Sequence, residues 1–231
     1  MTEALTEIFQ QCRAVLLDFD GPVCSVFAGL PAPVVAARLK RLLQDEGAKL
    51  PRDVAELDDP LKVLRRTAVF APKLVGKVEA AFIGYETEAA GCAEITPGVR
   101  ELLVACADAD RPVVIVSNNS EPAIERFLDL AELSGQVAGV VGRSIGNPAE
   151  MKPHPRSVLR ACEMVDVPPG EAVLVGDSDF DMQAAANAGT RSIAYANEPG
   201  KETRLVQAGA DAVTRSMQEL ASYVRSATEK G

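Results

Sequence analysis

Asp18 and Asp20 stand at the end of the apolar run Ala14-Val15-Leu16-Leu17, separated by Phe19 and followed by Gly21. In extended backbone, residues two apart lean to the same side, so both carboxylates would face one space while Phe19 turns away. Two carboxylates so placed repel unless a cation sits between them or one keeps a proton. A lone D-x-D-G is equally explained by a solvated Asp-Gly turn, so the chemistry depends on what the rest of the chain brings to the pair. Residues 112–116 form a second apolar run, ending in Ser117-Asn118-Asn119-Ser120. Residues 172–175 form a third, which ends in Gly176-Asp177-Ser178-Asp179-Phe180-Asp181. Between the second and third, Lys152 lies between Met151 and Pro153-His154-Pro155. Carboxylates from two strands can hold one hard divalent cation, and magnesium suits a site that leaves positions for water and a phosphate oxygen. Ser117 offers a hydroxyl, neighbouring amides can donate to an oxyanion, and Lys152 is a point charge without an acceptor. Such a set suits a phosphoryl group.

The elements that must position these residues follow from periodicity. Short apolar runs bounded by polar residues predict strands buried on both faces, as in a parallel sheet, whose chemistry lies beyond the strands' carboxyl ends. Leu5, Ile8, Phe9 and Cys12 predict a helix before the first strand. From about residue 25 to 95 the pattern is helical throughout. Pro31 and Pro33 open a helix with Val35, Leu39, Leu42 and Leu43 that Gly47 closes, Asp59-Pro60 opens another, and Pro72 a third with Leu74, Val78, Phe82 and Tyr85 inward. Thereafter strands and helices alternate, beginning with a helix capped by Thr96-Pro97. Weaker strands are expected at 137–141, 192–196 and 212–213, and helices near 202–208 and 217–227. Alternation implies an α/β, doubly wound parallel sheet. The expected division is a core of residues 1–24 and 95–231, interrupted by an all-helical insert of residues 25–94.

Composition bounds the partners. With 33 acidic and 24 basic residues the net charge is −9, which argues against a nucleic-acid surface, since phosphate-backbone binding relies on clustered Lys and Arg. The five cysteines are odd in number and scattered, without a C-x-x-C pair. They read as reduced core residues of a cytosolic protein. No signal-peptide stretch or membrane span is expected, which predicts a cytoplasmic location. The oligomeric expectation is a monomer or homodimer.

At these residues the chain resembles the haloacid dehalogenase superfamily of phosphohydrolases. Asp18-Phe19-Asp20-Gly21 is similar to its first motif, Ser117 to its second, Lys152-Pro153 to its third and Gly176-Asp177-Ser178-x-x-Asp181 to its fourth. The helical insert resembles the cap of the phosphoglycolate phosphatase-like branch. The resemblance implies a Rossmann-like sheet with the first strand central and a cap over the site. It implies Asp18 as nucleophile, Asp20 as acid and base, and Lys152, Ser117 and Asp181 as catalytic support. Ser117, Asn118, Lys152 and Gly21 would bind substrate. Asp18, the Asp20 carbonyl and Asp177 would hold Mg2+, and the substrate would be a small phosphorylated metabolite. An aspartate at position 20 favours phosphate chemistry over halide displacement. Pro22, where the family usually has Thr or Val, and Cys24-Ser25 depart from the pattern.

Rival readings attach to the same residues. A phosphomutase would need a phosphoaspartate that survives water, and a phosphonate hydrolase a cap lysine, for which Lys40, Lys62, Lys73 and Lys77 are candidates. A binding module on this fold would be expected to lack a carboxylate or the lysine. Ser120 reads as the cap of the next helix, Asp179 as a turn or cap residue, His154 as a loop bystander, and Cys24 as packing. Arg65 and Arg66 suit a solvated helix face or an anionic substrate tail.

Overall fold

The computed structural model describes residues 2–228. Met1 and residues 229–231, at the ends of the expected core, lie outside the described residues. The amphipathic helix α1 (Thr2–Gln11) leads into β1 (Ala14–Leu17). After the short β2 (Cys24–Ser25) come α2 (Ala32–Asp45), α3 (Arg52–Ala55), α4 (Pro60–Phe70) and α5 (Val75–Ala90), and β3 (Glu94–Ile95) returns antiparallel to β2. The remainder alternates through α6 (Val99–Asp108), β4 (Val113–Val116), α7 (Glu121–Leu130), β5 (Gly139–Val141), α8 (Arg156–Met164) and β6 (Ala172–Gly176). It ends with α9 (Asp179–Ala188), β7 (Arg191–Tyr195), α10 (Lys201–Gln207), β8 (Ala212–Thr214) and α11 (Met217–Thr228).

The main sheet has six strands in the order β5-β4-β1-β6-β7-β8, with every neighbouring pair parallel. Its strands read Val-rich without alternation because helices cover both faces. One apolar layer joins α1, α6, α7 and α11 to Val15, Leu17 and Ile115, and another joins α8 and α9 to Leu16, Val114 and Leu174. β1 lies between β4 and β6 in register, with Leu17 opposite both Ile115 and Val175. The chain leaves β1 toward β4 and β5 on one side and later fills β6 to β8 on the other, so the switch of direction falls at β1. Three neighbouring strands therefore deliver Ser117, Asp18 and Asp177 to one sheet edge.

Helices α2, α4 and α5 carry an apolar cluster of their own, with Val35, Leu39, Val63, Leu64, Val78 and Phe82 buried. Asp59 caps α4 by accepting from the Leu61 and Lys62 amides at 2.9 and 3.2 Å, and Pro60 occupies the first turn where no donor is needed.

Several local expectations are corrected. The stretch 25–94 also contains α3, and the paired strands β2 and β3 straddle its two ends, all too short to leave a period in sequence. α5 starts at Val75, because Pro72–Leu74 forms a tighter 3-10 turn, and Tyr85 is half-buried under Arg38. Gly98, at φ +88°, takes the N-terminal position of α6, while the Thr96 hydroxyl donates instead to the Gly21 carbonyl at 2.7 Å. Ser120 precedes α7, but its buried hydroxyl makes no capping bond. Cys92 is exposed, and all five cysteines are unpaired. Among the described residues, no helix is long and apolar enough to cross a membrane.

Candidate active site

Lys152 reaches the sheet edge from the loop after β5 and is buried there. Its Nζ donates to Asp18 Oδ1 at 2.8 Å, Asp181 Oδ1 at 2.5 Å and the Val116 carbonyl at 2.9 Å, which uses all three ammonium donors. Burial pulls its pKa down, but the charges of Asp18 and Asp181 more than offset this and leave it raised. The backbone of Lys152 is fixed by Asn118, whose Oδ1 accepts from the Lys152 amide at 2.7 Å and whose Nδ2 donates to its carbonyl at 3.2 Å.

The carboxylates divide their work. Asp181 sits in the first turn of α9, where Ser178 and Asp181 cap each other reciprocally. Its Oδ2 accepts from the Ser178 amide at 3.0 Å and its Oδ1 from Lys152, so both oxygens are engaged. Asp18 has one oxygen on Lys152 and on the Phe19 amide at 2.8 Å. Burial first, and then the charge of Asp181, push the Asp18 carboxyl up to about 8 against the pull of Lys152. Asp177 is raised by burial, opposed by Lys201, whose Nζ lies 2.5 Å from Oδ2. Asp20 accepts from the Val26 amide at 3.0 Å, and burial pushes its pKa up to about 6.

Ligand oxygens of Asp18, Asp177 and Asp181 all lie within 4.8 Å of one another. A hard oxygen donor set fits magnesium, and the raised pKa of Asp18 and Asp177 marks carboxylates short of positive charge. Because Asp181 has spent both oxygens, the free ligand atoms belong to Asp18 and Asp177. Gly21 adopts φ +100°, and a Cβ there would collide with the Asp177 carboxylate, so only glycine lets the turn pass this close. Its N–H is committed to the Cys24 carbonyl at 2.7 Å.

A pocket of about 160 Å³ opens beside the cluster, lined by Asp18, Asp20, Ser117, Asn118, Lys152 and Asp177 from the core and by Asp59, Leu61, Lys62 and Arg65 from α4 and its cap. Ser117 Oγ accepts from the Asn119 amide and donates to Asn119 Oδ1, both at 3.1 Å. The structure thus gathers every candidate site residue at one edge, with Gly21 beneath Asp177 and outside the pocket lining.

The arginines part company. Arg66 pairs with Asp53 at 2.6 Å on the surface, whereas Arg65 stacks 4.9 Å from the Phe180 ring centroid and donates to the Lys152 carbonyl. Of the four cap lysines weighed for a phosphonate hydrolase, Lys62 alone lines the pocket, paired with Asp59 at 3.6 Å. Lys40 holds the Ala55 and Leu57 carbonyls and Lys77 pairs with Glu46. His154 is exposed in the loop after Lys152. The Pro22 departure is harmless to the turn, whose bonds come from the amides of Gly21, Val23 and Cys24. Burial raises the Cys24 thiol far above its ordinary range, as packing requires. Lys201 was not legible in sequence, since its only local signal is a helix start after Gly200 at φ +81°.

The model of the haloacid dehalogenase-like hydrolase family matches residues 12–189. A protein of Cupriavidus necator named phosphoglycolate phosphatase is 31% identical over 226 residues, covering 90% of this chain and 91% of that protein. A Bacillus cereus protein named pyrophosphatase is 35% identical over 82 residues, which span 36% of this chain and 37% of that protein. Among solved structures, a predicted phosphatase from Clostridium acetobutylicum superposes with a TM-score of 0.71 at 19% identity, covering 92% of this chain and 98% of that one.

Proposed function

Because the chain belongs to the haloacid dehalogenase-like hydrolases, we propose that it is a magnesium-dependent phosphatase of a small phosphomonoester, working through a phosphoaspartate on Asp18. The observation that carries the reading is the Lys152 ammonium, which holds one oxygen of Asp18 beside a pocket that Asp18 lines together with Ser117 and Asp177. Asp18 would attack phosphorus, displacing the alkoxide. Asp20, whose pKa lies near the working range of an acid–base group, would protonate that oxygen and then take a proton from the water that clears the phosphoaspartate. Magnesium, held by Asp18 and Asp177 with the Asp20 carbonyl, would neutralise carboxylate and phosphoryl charge when bound. Lys152 and the Ser117 hydroxyl would stabilise the equatorial oxygens, since phosphoryl transfer depends mainly on positioning and electrostatics. Asp181 would orient Lys152 and stay out of the reaction.

Helices from residues 25–94 act in this reading as a cap, with Arg65 and Lys62 as its only basic residues on the pocket. Arg65, joined by Lys62 although that lysine pairs with Asp59 at 3.6 Å, brings positive charge to the pocket lining and suits a substrate with a second negative group close to its phosphate, a property shared by the compounds in the names of both curated relatives. The pocket admits only a small molecule, and the unpaired cysteines agree with action in the cytoplasm.

Phosphate release from a panel of small phosphomonoesters, with and without Mg2+, tests the proposal. The wild type is expected to turn over at least one in a Mg2+-dependent way, and Asp18→Asn to lose at least about a thousandfold. Release by Asp18→Asn at the wild-type rate, or none from the wild type on any compound, removes the reading.

A further inference from the structure

Arg143, Glu79 and Glu86 form a second buried ion cluster, with side chains 1%, 1% and 0% exposed. Arg143 follows β5, and both glutamates lie on α5. The guanidinium Nε donates to Glu79 Oε1 at 2.9 Å, while Nη1 and Nη2 fork onto Glu86 at 2.9 and 3.0 Å. Nη1 also donates to the Asn118 carbonyl at 2.8 Å, and the Arg143 amide donates to the Asn119 carbonyl at 2.8 Å. Glu86 reaches the same loop from the helical side, accepting from Asn119 Nδ2 at 3.1 Å and from the Ser120 amide at 3.3 Å.

These bonds decide how Ser117 is presented. A carboxylate is acceptor-only, so Glu86 forces the Asn119 amide to turn Nδ2 toward it and Oδ1 toward Ser117. The Asn119 backbone amide fills a lone pair of Ser117 Oγ and Asn119 Oδ1 takes its single proton, so both bonds fix where the hydroxyl sits. The chain of contacts Arg143–Glu86–Asn119–Ser117 runs from the interior to the pocket without a gap wider than 3.1 Å.

We propose that Glu86 and Arg143 are positioning residues for catalysis, which set the 117–120 loop from α5 so that Ser117 Oγ is held at the pocket, its hydroxyl turning from Asn119 Oδ1 to the phosphoryl group when substrate binds. The proposal rests on the phosphatase reading above. Glu79 supplies an internal control, because it binds the same guanidinium but its other oxygen accepts from the Gly146 amide, away from the 117–120 loop.

The test compares Glu86→Gln, Arg143→Lys and Glu79→Gln with wild type, using the compound hydrolysed fastest in the panel, inorganic phosphate as a competitive inhibitor, and thermal melting. Glu86→Gln permits Asn119 to flip and is expected to lower kcat about 10- to 50-fold and weaken phosphate inhibition. Glu79→Gln should melt earlier by a similar amount yet keep kcat within about twofold. Arg143→Lys, which cannot fork, should fall with Glu86→Gln, and it decides the matter below its own melting temperature if Glu86→Gln does not fold. Equal loss of kcat in Glu86→Gln and Glu79→Gln, or wild-type kcat in Glu86→Gln or in folded Arg143→Lys, overturns the proposal. An inactive wild type instead overturns the phosphatase reading.

Discussion

Two buried ion clusters lie within one molecule, and their charge balance separates their roles. Around Arg143, four of the five guanidinium N–H groups have acceptors and the glutamate oxygens have donors from two chain segments, the 143–146 loop and residues 119–120. Burial lowers the Arg143 pKa, but Glu86 and Glu79 more than offset it and hold it above its ordinary value. Around Lys152 a single buried ammonium serves Asp18 and Asp181, Asp177 leans on Lys201, and the Asp18 carboxyl rises to about 8. The first cluster closes on itself and reaches the active-site pocket only through the loop it holds, whose Ser117, Asn118 and Asn119 line it. The second is short of positive charge and opens onto one. Completed hydrogen bonding marks a joint, and unmet charge beside a pocket marks a site.

Removing the cation from each cluster tests that distinction most severely. Lys152→Met should cost about 10²–10³-fold in kcat/KM, the range for losing a fixed transition-state donor, with a smaller loss of stability because Asp18 already favours its protonated form. Arg143→Met strands two carboxylates in the interior and should cost about 3–5 kcal/mol of stability, read from denaturant unfolding. If Lys152→Met proves the less stable of the two, the contrast between joint and site is lost.

Arg65 sharpens the comparison from the pocket side, as a pocket-lining cap cation whose buried Nε has no partner. Arg65→Met should lower kcat/KM about 10- to 100-fold for phosphomonoesters bearing a second anionic group, and only about twofold for those with a neutral alcohol. Equal losses on both classes would assign Arg65 to holding the Lys152 loop and not to substrate.

The two clusters were also unequally legible in sequence. Asp18, Ser117, Lys152 and Asp177 could be read because each ends an apolar run or sits in a proline-bounded loop, and parallel strands bring such ends together whatever the side chains between them. The Arg143 joint was missed because its members are a loop arginine and two helix residues 57 and 64 positions away. A signal did exist on α5, where Glu79 and Glu86 share the buried stripe with Val75, Phe82 and Ala89, and a glutamate in an apolar stripe requires a partner. The central place of β1 was an expectation of the resemblance, whereas the full strand order, the amides that close the turn around Pro22 and the pairing of β2 with β3 depend on tertiary contacts that no residue type marks.

The smallest effect concerns charge in the metal-free site. Asp18, at about 8, and Asp20, at about 6, bind protons more tightly in the folded protein than the ordinary carboxyl value of 3.8. A carboxyl raised in the folded state contributes stability that is complete below the unfolded pKa and is lost as pH rises through the folded one. The chelator-treated protein should therefore melt a few degrees lower at pH 8.5 than at pH 5.5, and Mg2+ should recover more of the melting temperature at the higher pH, where it meets ionised carboxylates. Asp18→Asn removes the largest of these contributions, so its melting temperature should vary less with pH and respond less to Mg2+. Glu79→Gln, which lies outside the pocket, should shift the whole curve downward while keeping the wild-type response to Mg2+. A Mg2+ response that disappears in Glu79→Gln but persists in Asp18→Asn would reverse the assignment of joint and site.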